Sequence, residues 1–205
     1  MTADYTLCLV ADRGLLAGEA LLSAVEQAIL GGCTMVQFRQ KAGDRFLQQA
    51  AAVQRVTDRY NIPLIVNDRT DAALALGAAG VHVGQRDMPA AAARRILGPD
   101  MLLGVSVASV PEAVRAVEDG ADYLGVGAMF PTGTKADASL VSMAELARIR
   151  RAVSVPIVVI GGLCAENAGA FRPLGVSGAA AASAILTQPD VRGAAARLKA
   201  AFLGR

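Results

Sequence analysis

The stretch with the most chemical promise is Phe130-Pro131-Thr132-Gly133-Thr134-Lys135. It follows the apolar run Tyr123 to Met129, so it reads as a loop at the C-terminal end of a buried strand. A glycine lets the backbone approach a ligand closely, two threonine hydroxyls can bond phosphate oxygens, and a lysine supplies a point charge. That is an anion-handling loop, though not a Walker A loop, because the G-x-x-x-x-G-K-[ST] spacing is absent. An ordinary polar turn is the plain alternative. Gln37, Arg39 and Lys41 alternate at the end of a second apolar run, Met35 to Arg39, and a period of two puts them on one face. Asp68 and Asp87 each follow a further apolar run, with no soft ligand in metal-binding spacing near them. Two hard oxygen donors suit Mg²⁺, which binds through one or two carboxylates plus substrate phosphates. Arg39, Lys41 and Lys135 could then hold a diphosphate, the arginine gripping two oxygens and the lysines neutralising charge.

These residues need a scaffold that brings them together. Leu7 to Ala11 predicts a first strand, stopped at Asp12-Arg13-Gly14. Glu19 to Leu30 has helical apolar spacing and ends at Gly31-Gly32. Met35 to Arg39 is the second strand. Asp44 is placed to cap a helix from Arg45 to Tyr60. Pro63 to Val66 is the third strand, closing with Asn67 and Asp68, and Thr70 to Ala79 is a helix stopped by Gly80. Val81 to Gly84 is the fourth strand, and Pro89 can open the next helix, through Leu97. Leu102 to Val107, carrying Ser106, is followed by a helix from Val110 to Glu118. The strand from Tyr123 and its loop precede a helix from Met143 to Ala152. Pro156 to Ile160 is the seventh strand, ending in Gly161-Gly162, with a short helix from Glu166 to Phe171. The small-residue run Gly178 to Ala182 is the eighth, ending at Ser183, and a last helix runs from Val191 to Phe202.

Eight strand-then-helix units predict a parallel sheet closed into a (β/α)₈ barrel, one domain over residues 1–205. An open doubly wound sheet is the alternative, and the even spacing without a strong nucleotide fingerprint favours the barrel. In a barrel every strand C-terminus meets the same rim, where active sites of this fold lie. Gln37, Arg39, Lys41, Asn67, Asp68, Asp87, Ser106, Thr132, Thr134, Lys135, Gly162 and Ser183 all fall at or near such ends. Taken singly, Asp68 or Asp87 could be a helix cap. The pattern across strands 2 to 8 is harder to assign to capping. Loops after strands 7 and 8 often bind phosphate, so Gly161-Gly162 and Ala182-Ser183 could hold a second anion. His82, the single histidine, sits within an apolar run. A structural residue is the plain reading of it, and a catalytic one is the alternative.

Composition removes other classes. Of 205 residues 54% are hydrophobic and 4% aromatic, and net charge is +2 with acids and bases mixed along the chain. No basic block or aromatic–basic interleaving points to nucleic acid. No apolar stretch reaches the roughly 18 residues of a membrane span, and no signal peptide is visible at the N-terminus. Cys8, Cys33 and Cys164 lie far apart, in odd number and without metal spacing, which argues against a disulfide scaffold and fits a reducing cytoplasm. A Ser-His-Asp hydrolase is not supported. A homo-oligomer is left open.

Gln37-Phe38-Arg39-Gln40-Lys41, Val66-Asn67-Asp68-Arg69, Gly84-Gln85-Arg86-Asp87-Met88-Pro89, Gly104-Val105-Ser106, Phe130-Pro131-Thr132-Gly133-Thr134-Lys135 and Ile160-Gly161-Gly162 together resemble the thiamine-phosphate synthase family. The resemblance runs in order from strand 1 to strand 8. It implies a (β/α)₈ barrel that joins a hydroxymethylpyrimidine diphosphate to a thiazole phosphate, releasing diphosphate. It further implies that Gln37, Arg39 and Lys41, with their neighbours Phe38 and Gln40, bind the pyrimidine diphosphate, and that Asn67 and Ser106 contact the same substrate. Asp68 and Asp87 would hold Mg²⁺, and Lys135 would grip the diphosphate, making Arg39, Lys41 and Lys135 the catalytic cations. Thr132, Gly133 and Thr134 would line the thiazole side, and Gly162, Ala182 and Ser183 would meet the thiazole phosphate. Three positions depart from the family pattern: Gln40 stands where glutamate is more frequent, Ala128 where proline is common, and Val107-Ala108-Ser109 lacks the histidine often seen there. Two other readings share the fold. A thiazole tautomerase-like relative would lose parts of the diphosphate site and use a histidine near the sixth strand's exit, where this chain has Ala128. A non-catalytic barrel would bind a phosphorylated ligand without turnover and regulate a partner.

Overall fold

In the computed structural model, which describes residues 3–41, 43–133 and 140–205, eight parallel strands close in the order β1 to β8, with β1 paired to both β2 and β8. The strands are β1 (Leu7–Asp12), β2 (Met35–Arg39), β3 (Leu64–Asn67), β4 (Gly80–Val83), β5 (Leu102–Val107), β6 (Tyr123–Val126), β7 (Ile157–Ile160) and β8 (Gly178–Ala181). The helices are α1 (Gly18–Leu30), α2 (Phe46–Arg59), α3 (Thr70–Leu76), α4 (Ala90–Leu97), α5 (Val110–Glu118), α6 (Met143–Ala152), a 3₁₀ helix (Ala168–Leu174), α7 (Ser183–Leu186) and α8 (Val191–Leu203).

Alternation along each strand splits the buried residues into two cores. Leu7, Leu9, Val36, Phe38, Val66, Val81, Leu103, Val105, Leu124 and Val159 point outward and pack beneath the helices. Cys8, Val10, Met35, Ile65, Tyr123, Val158 and Ala180 point inward and fill the barrel. Toward the strand C-termini the inward positions turn polar: Asp12, Gln37, Arg39, Asn67, His82 and Ser106. The helices that cover the barrel meet it through alanine, as in Ala24, Ala28, Ala50, Ala72, Ala73, Ala93, Ala113 and Ala116, all buried. Small side chains allow close helix approach.

Several local expectations change. Asp44 does not cap α2: Arg45 holds the cap position at φ 61 with no side-chain bond, while the Asp44 carbonyl accepts from the Gln40 and Gln49 amides. The third helix stops at Gly77 (φ 58) rather than Gly80. Gly80 instead opens β4, where a Cβ would sit 2.2 Å from the Leu102 carbonyl oxygen. Pro89 is the cap residue of α4, one place earlier than expected. The regular ladder of β6 ends at Val126, short of Met129. The segment expected as a helix from Glu166 forms a 3₁₀ helix two residues later, with Pro173 inside it. The four-residue α7 has too few residues to carry a periodic signal.

Candidate active site

A narrow cavity of about 160 Å³ opens at the C-terminal mouth of the barrel and descends along its axis. Its floor is apolar, formed by Cys8, Val10, Tyr123, Val158 and Ala180. Glycine makes the room: a Cβ on Gly104 would stand 2.2 Å from Tyr123 Cζ, and one on Gly125 would stand 2.9 Å from His82 Cε1. An apolar floor beneath a few polar groups suits a heteroaromatic ring.

Strand register explains which polar groups meet above that floor. Asp12 lies opposite Arg39, and Asn67 opposite His82. His82 in turn lies opposite Gly104, and Ser106 opposite Gly125. With no side chain on either glycine, the His82 ring reaches its neighbours across the barrel. One ring nitrogen lies 3.1 Å from the Tyr123 hydroxyl and the other 2.8 Å from Ser106 Oγ. Burial first, with nearby Cys8 and Tyr5 adding to it, pushes the Tyr123 hydroxyl well above its ordinary pKa, so it stays protonated. Ser106 is further enclosed by the Gln85 amide, which donates to its carbonyl at 2.8 Å.

At the rim the two aspartates come together. Asp68 follows β3 in the left-handed region (φ 64), a conformation that aspartate tolerates better than most side chains. Its amide donates to the His82 carbonyl at 2.8 Å. Its carboxylate accepts from Lys41 Nζ at 2.6 Å. Burial first, then a hydrogen bond to Asp87, holds the Asp68 carboxyl above its ordinary pKa, with Lys41 acting in the opposite direction. Asp87 Oδ2 also accepts from the Gly84 amide at 2.8 Å, which fixes the turn after β4. Two carboxylates close enough to share a proton are a place where a cation relieves repulsion. Among the described residues no group of three or more His, Cys, Asp or Glu could hold a metal. A metal held here therefore takes its remaining ligands from water and substrate oxygens, the habit of Mg²⁺. The donor set fits that ion.

A second basin of about 400 Å³ adjoins the cavity on the β1–β2 side, lined by Asp12, Arg13, Gly14, Leu15, Arg39, Lys41 and Gly133. Arg39 and Lys41 border both spaces. Arg39 is held by an ion pair from its guanidinium to the buried Asp12 carboxylate. Arg13 Nε is buried there without a hydrogen-bond partner among the described residues.

Of the residues expected at the site, Gln37, Arg39, Lys41, Asn67, Asp68, Asp87, Ser106, Thr132, Ala182 and Ser183 line the cavity, and Gly133 lines the basin. Phe38 does not: it is fully buried in the outer core, edge-on to Phe46, because alternation sends it to the opposite face from Gln37 and Arg39. Gln40 turns away as well, its amide donating to the carbonyls of Gly43 and Asp44. Gly162, at φ 64, sits against the strand 6 loop, with its Cβ position 2.6 Å from the Pro131 carbonyl oxygen. Its neighbour Gly161 reaches the cavity instead. The Phe130 amide donates to the Gly161 carbonyl at 3.0 Å and the Met129 amide to the Ile160 carbonyl at 3.0 Å. These bonds anchor the start of the anion loop to β7. Thr134 and Lys135 lie outside the described residues. Asp12, Arg13 and Tyr123 were not singled out from the sequence. His82 reads from the sequence as a structural histidine, and Gly104, opposite it, with Gly125, opposite Ser106, were the available signal.

The model for thiamine monophosphate synthase matches residues 7–185. The chain belongs to the thiamine monophosphate synthase family. A thiamine-phosphate synthase of Clostridium beijerinckii is 52% identical over 202 residues, spanning 98% of this chain and 97% of that protein. One from Ruminiclostridium cellulolyticum is 52% identical over 204 residues, with the same shares. The solved thiamine phosphate pyrophosphorylase of Pyrococcus furiosus superposes with a TM-score of 0.90 at 35% identity, covering 98% of this chain and 96% of that one. The synthase activity is a transferase activity, and near-complete coverage by synthases favours it over the tautomerase-like and non-catalytic readings. No helix among the described residues is long and apolar enough to cross a membrane.

Proposed function

We propose that this synthase couples 4-amino-2-methyl-5-(diphosphooxymethyl)pyrimidine to 4-methyl-5-(2-phosphooxyethyl)thiazole, giving thiamine monophosphate and diphosphate, and that it does so in the cytoplasm. The observation that carries the reading is the stacking of chemistries along one axis. An apolar slot lies below, a layer of neutral hydrogen-bonding groups stands above it, and cations with paired carboxylates form the rim.

The pyrimidine ring enters the slot over Val10, Tyr123 and Ala180. Gln37, Asn67 and Ser106 meet its polar edge, with Ser106 oriented by His82. That leaves the methylene carbon and its diphosphate at the rim. Arg39 and Lys41 hold the diphosphate oxygens, and the resemblance adds Lys135. Asp68 and Asp87 would hold Mg²⁺, which when bound neutralises charge growing on the leaving oxygens. The methylene carbon–oxygen bond breaks with its electron pair going to diphosphate. The electron-rich aminopyrimidine spreads the positive charge left behind. The thiazole nitrogen then donates its lone pair to that carbon, forming the new carbon–nitrogen bond. No protein nucleophile is needed. The chain contributes fixed charges at the leaving group and the alignment of two substrates. Thr132 and Gly133 line the thiazole side, and the resemblance adds Thr134; Ala182 and Ser183 after β8 meet its phosphate, with Gly161 after β7 in place of the expected Gly162.

Asp68→Ala and Asp87→Ala test the metal assignment. Each is expected to abolish Mg²⁺-dependent formation of thiamine monophosphate while circular dichroism stays that of the parent. Full activity in either variant would overturn the assignment.

A further inference from the structure

Asp12 does no chemistry in the mechanism above, yet it is the most enclosed carboxylate at the barrel mouth, 4% exposed. Its two oxygens have different partners. Oδ1 accepts from the Gly14 amide at 2.8 Å and fixes the turn after β1. Oδ2 pairs with the Arg39 guanidinium, whose side chain is 16% exposed. The backbone repeats the tie: Asp12 and Arg39 are register partners, and the Arg13 amide donates to the Arg39 carbonyl at 2.9 Å. The pair stands where the slot and the outer basin meet, since Arg39 lines both and Asp12 lines the basin.

We infer that Asp12 is a positioning residue that holds Arg39 ready for the diphosphate and, by standing beside it as a buried countercharge, weakens the grip of the mouth on free diphosphate so that the product leaves. This rests on the reading of Arg39 as a diphosphate ligand. An arginine without a partner would present a full positive charge on a mobile stem. Paired with Asp12, it presents its remaining N–H groups in one orientation with much of its charge already balanced. The countercharge acts on substrate and product diphosphate alike. The fixed orientation favours the geometry in which the carbon–oxygen bond breaks. Removing the carboxylate charge therefore has opposite effects on binding and on turnover, a split that loss of a merely structural residue does not give.

The test uses Asp12→Asn, which keeps an acceptor for the Gly14 amide, and Asp12→Ser as a second variant with a smaller side chain. Arg39→Gln is measured in parallel. Inorganic diphosphate is titrated calorimetrically into each folded protein at fixed Mg²⁺, and kcat is measured separately. The Asp12 variants are expected to bind diphosphate about fivefold more tightly, as expected for removing one negative charge near a partly buried anion site, with kcat lowered. Arg39→Gln is expected to weaken binding. Unchanged or weaker diphosphate binding in both Asp12 variants would overturn the inference. Unchanged binding in Arg39→Gln would instead overturn the reading of Arg39 on which it rests.

Discussion

Replacing Tyr123 by Phe removes one oxygen from the centre of the barrel. Tyr123 is 2% exposed and His82 7%, so water has little access to the gap. The ring contacts of Tyr123 with Tyr5 and His82 survive the change, their centroids lying 5.1 and 5.5 Å away. What is lost is the 3.1 Å hydrogen bond to the His82 ring. Stripping a buried polar atom of one partner costs about 1–3 kcal/mol. In a chain of this length each kcal/mol moves Tm by roughly 2–4 °C, so a fall of roughly 2–12 °C is expected. The catalytic consequence passes through Ser106, 2.8 Å from the other ring nitrogen. With the Tyr123 bond gone, the His82 ring fixes the Ser106 hydroxyl toward the pyrimidine less firmly, and kcat/KM is expected to fall about tenfold, equivalent to ~1.4 kcal/mol. Calorimetric melting and initial-rate kinetics on one preparation read both effects. A parent Tm together with parent kcat/KM would refute the claim that the Tyr123–His82–Ser106 chain positions the substrate.

Further outcomes follow from the rim. Because burial and then Asp87 raise the Asp68 carboxyl above its ordinary 3.8, the folded chain binds that proton more tightly than the unfolded chain does. The resulting cost is absent below the unfolded value, sets in as pH rises toward the folded value, and is complete above it. Metal-free Asp87→Asn should therefore melt higher than the parent at about pH 7 and alike at about pH 3, and an equal shift at both would contradict this. Gly162→Ala places a methyl 2.6 Å from the Pro131 carbonyl at a φ of 64°. It should displace the anion loop and lower kcat/KM more than it lowers Tm, and parent kinetics would count against the role of Gly162 in holding that loop. Lys135→Ala is expected to slow coupling strongly, measured as initial rate of thiamine monophosphate formation, and an unchanged rate would remove Lys135 from the diphosphate site.

The barrel was legible because eight apolar runs recur at even spacing, and four helices, those starting at Thr70, Val110, Met143 and Val191, begin where the sequence pattern put them. The rim was legible because polar residues sit just past those runs. Side-chain direction was less so. Phe38 and Gln40 belong to a motif whose alternate members face the cavity, and one step of the pleat sends Phe38 under α2. Asp12 looked like a strand stop, since its value comes from standing opposite Arg39 across a strand pair, and pairing register is not written in either strand alone. The same holds for His82. Its place in the chain from Tyr123 to Ser106 depends on two glycines of neighbouring strands leaving room for it.

The central claim is that cations and a carboxylate-held Mg²⁺ at the mouth draw diphosphate off a pyrimidine carbon bound in the slot below. Its most direct test mixes the purified protein with both substrates and Mg²⁺ and follows products by chromatography. Thiamine monophosphate and diphosphate appearing in equal amounts, only when Mg²⁺ is present, is the result predicted. Binding of both substrates without either product would contradict it.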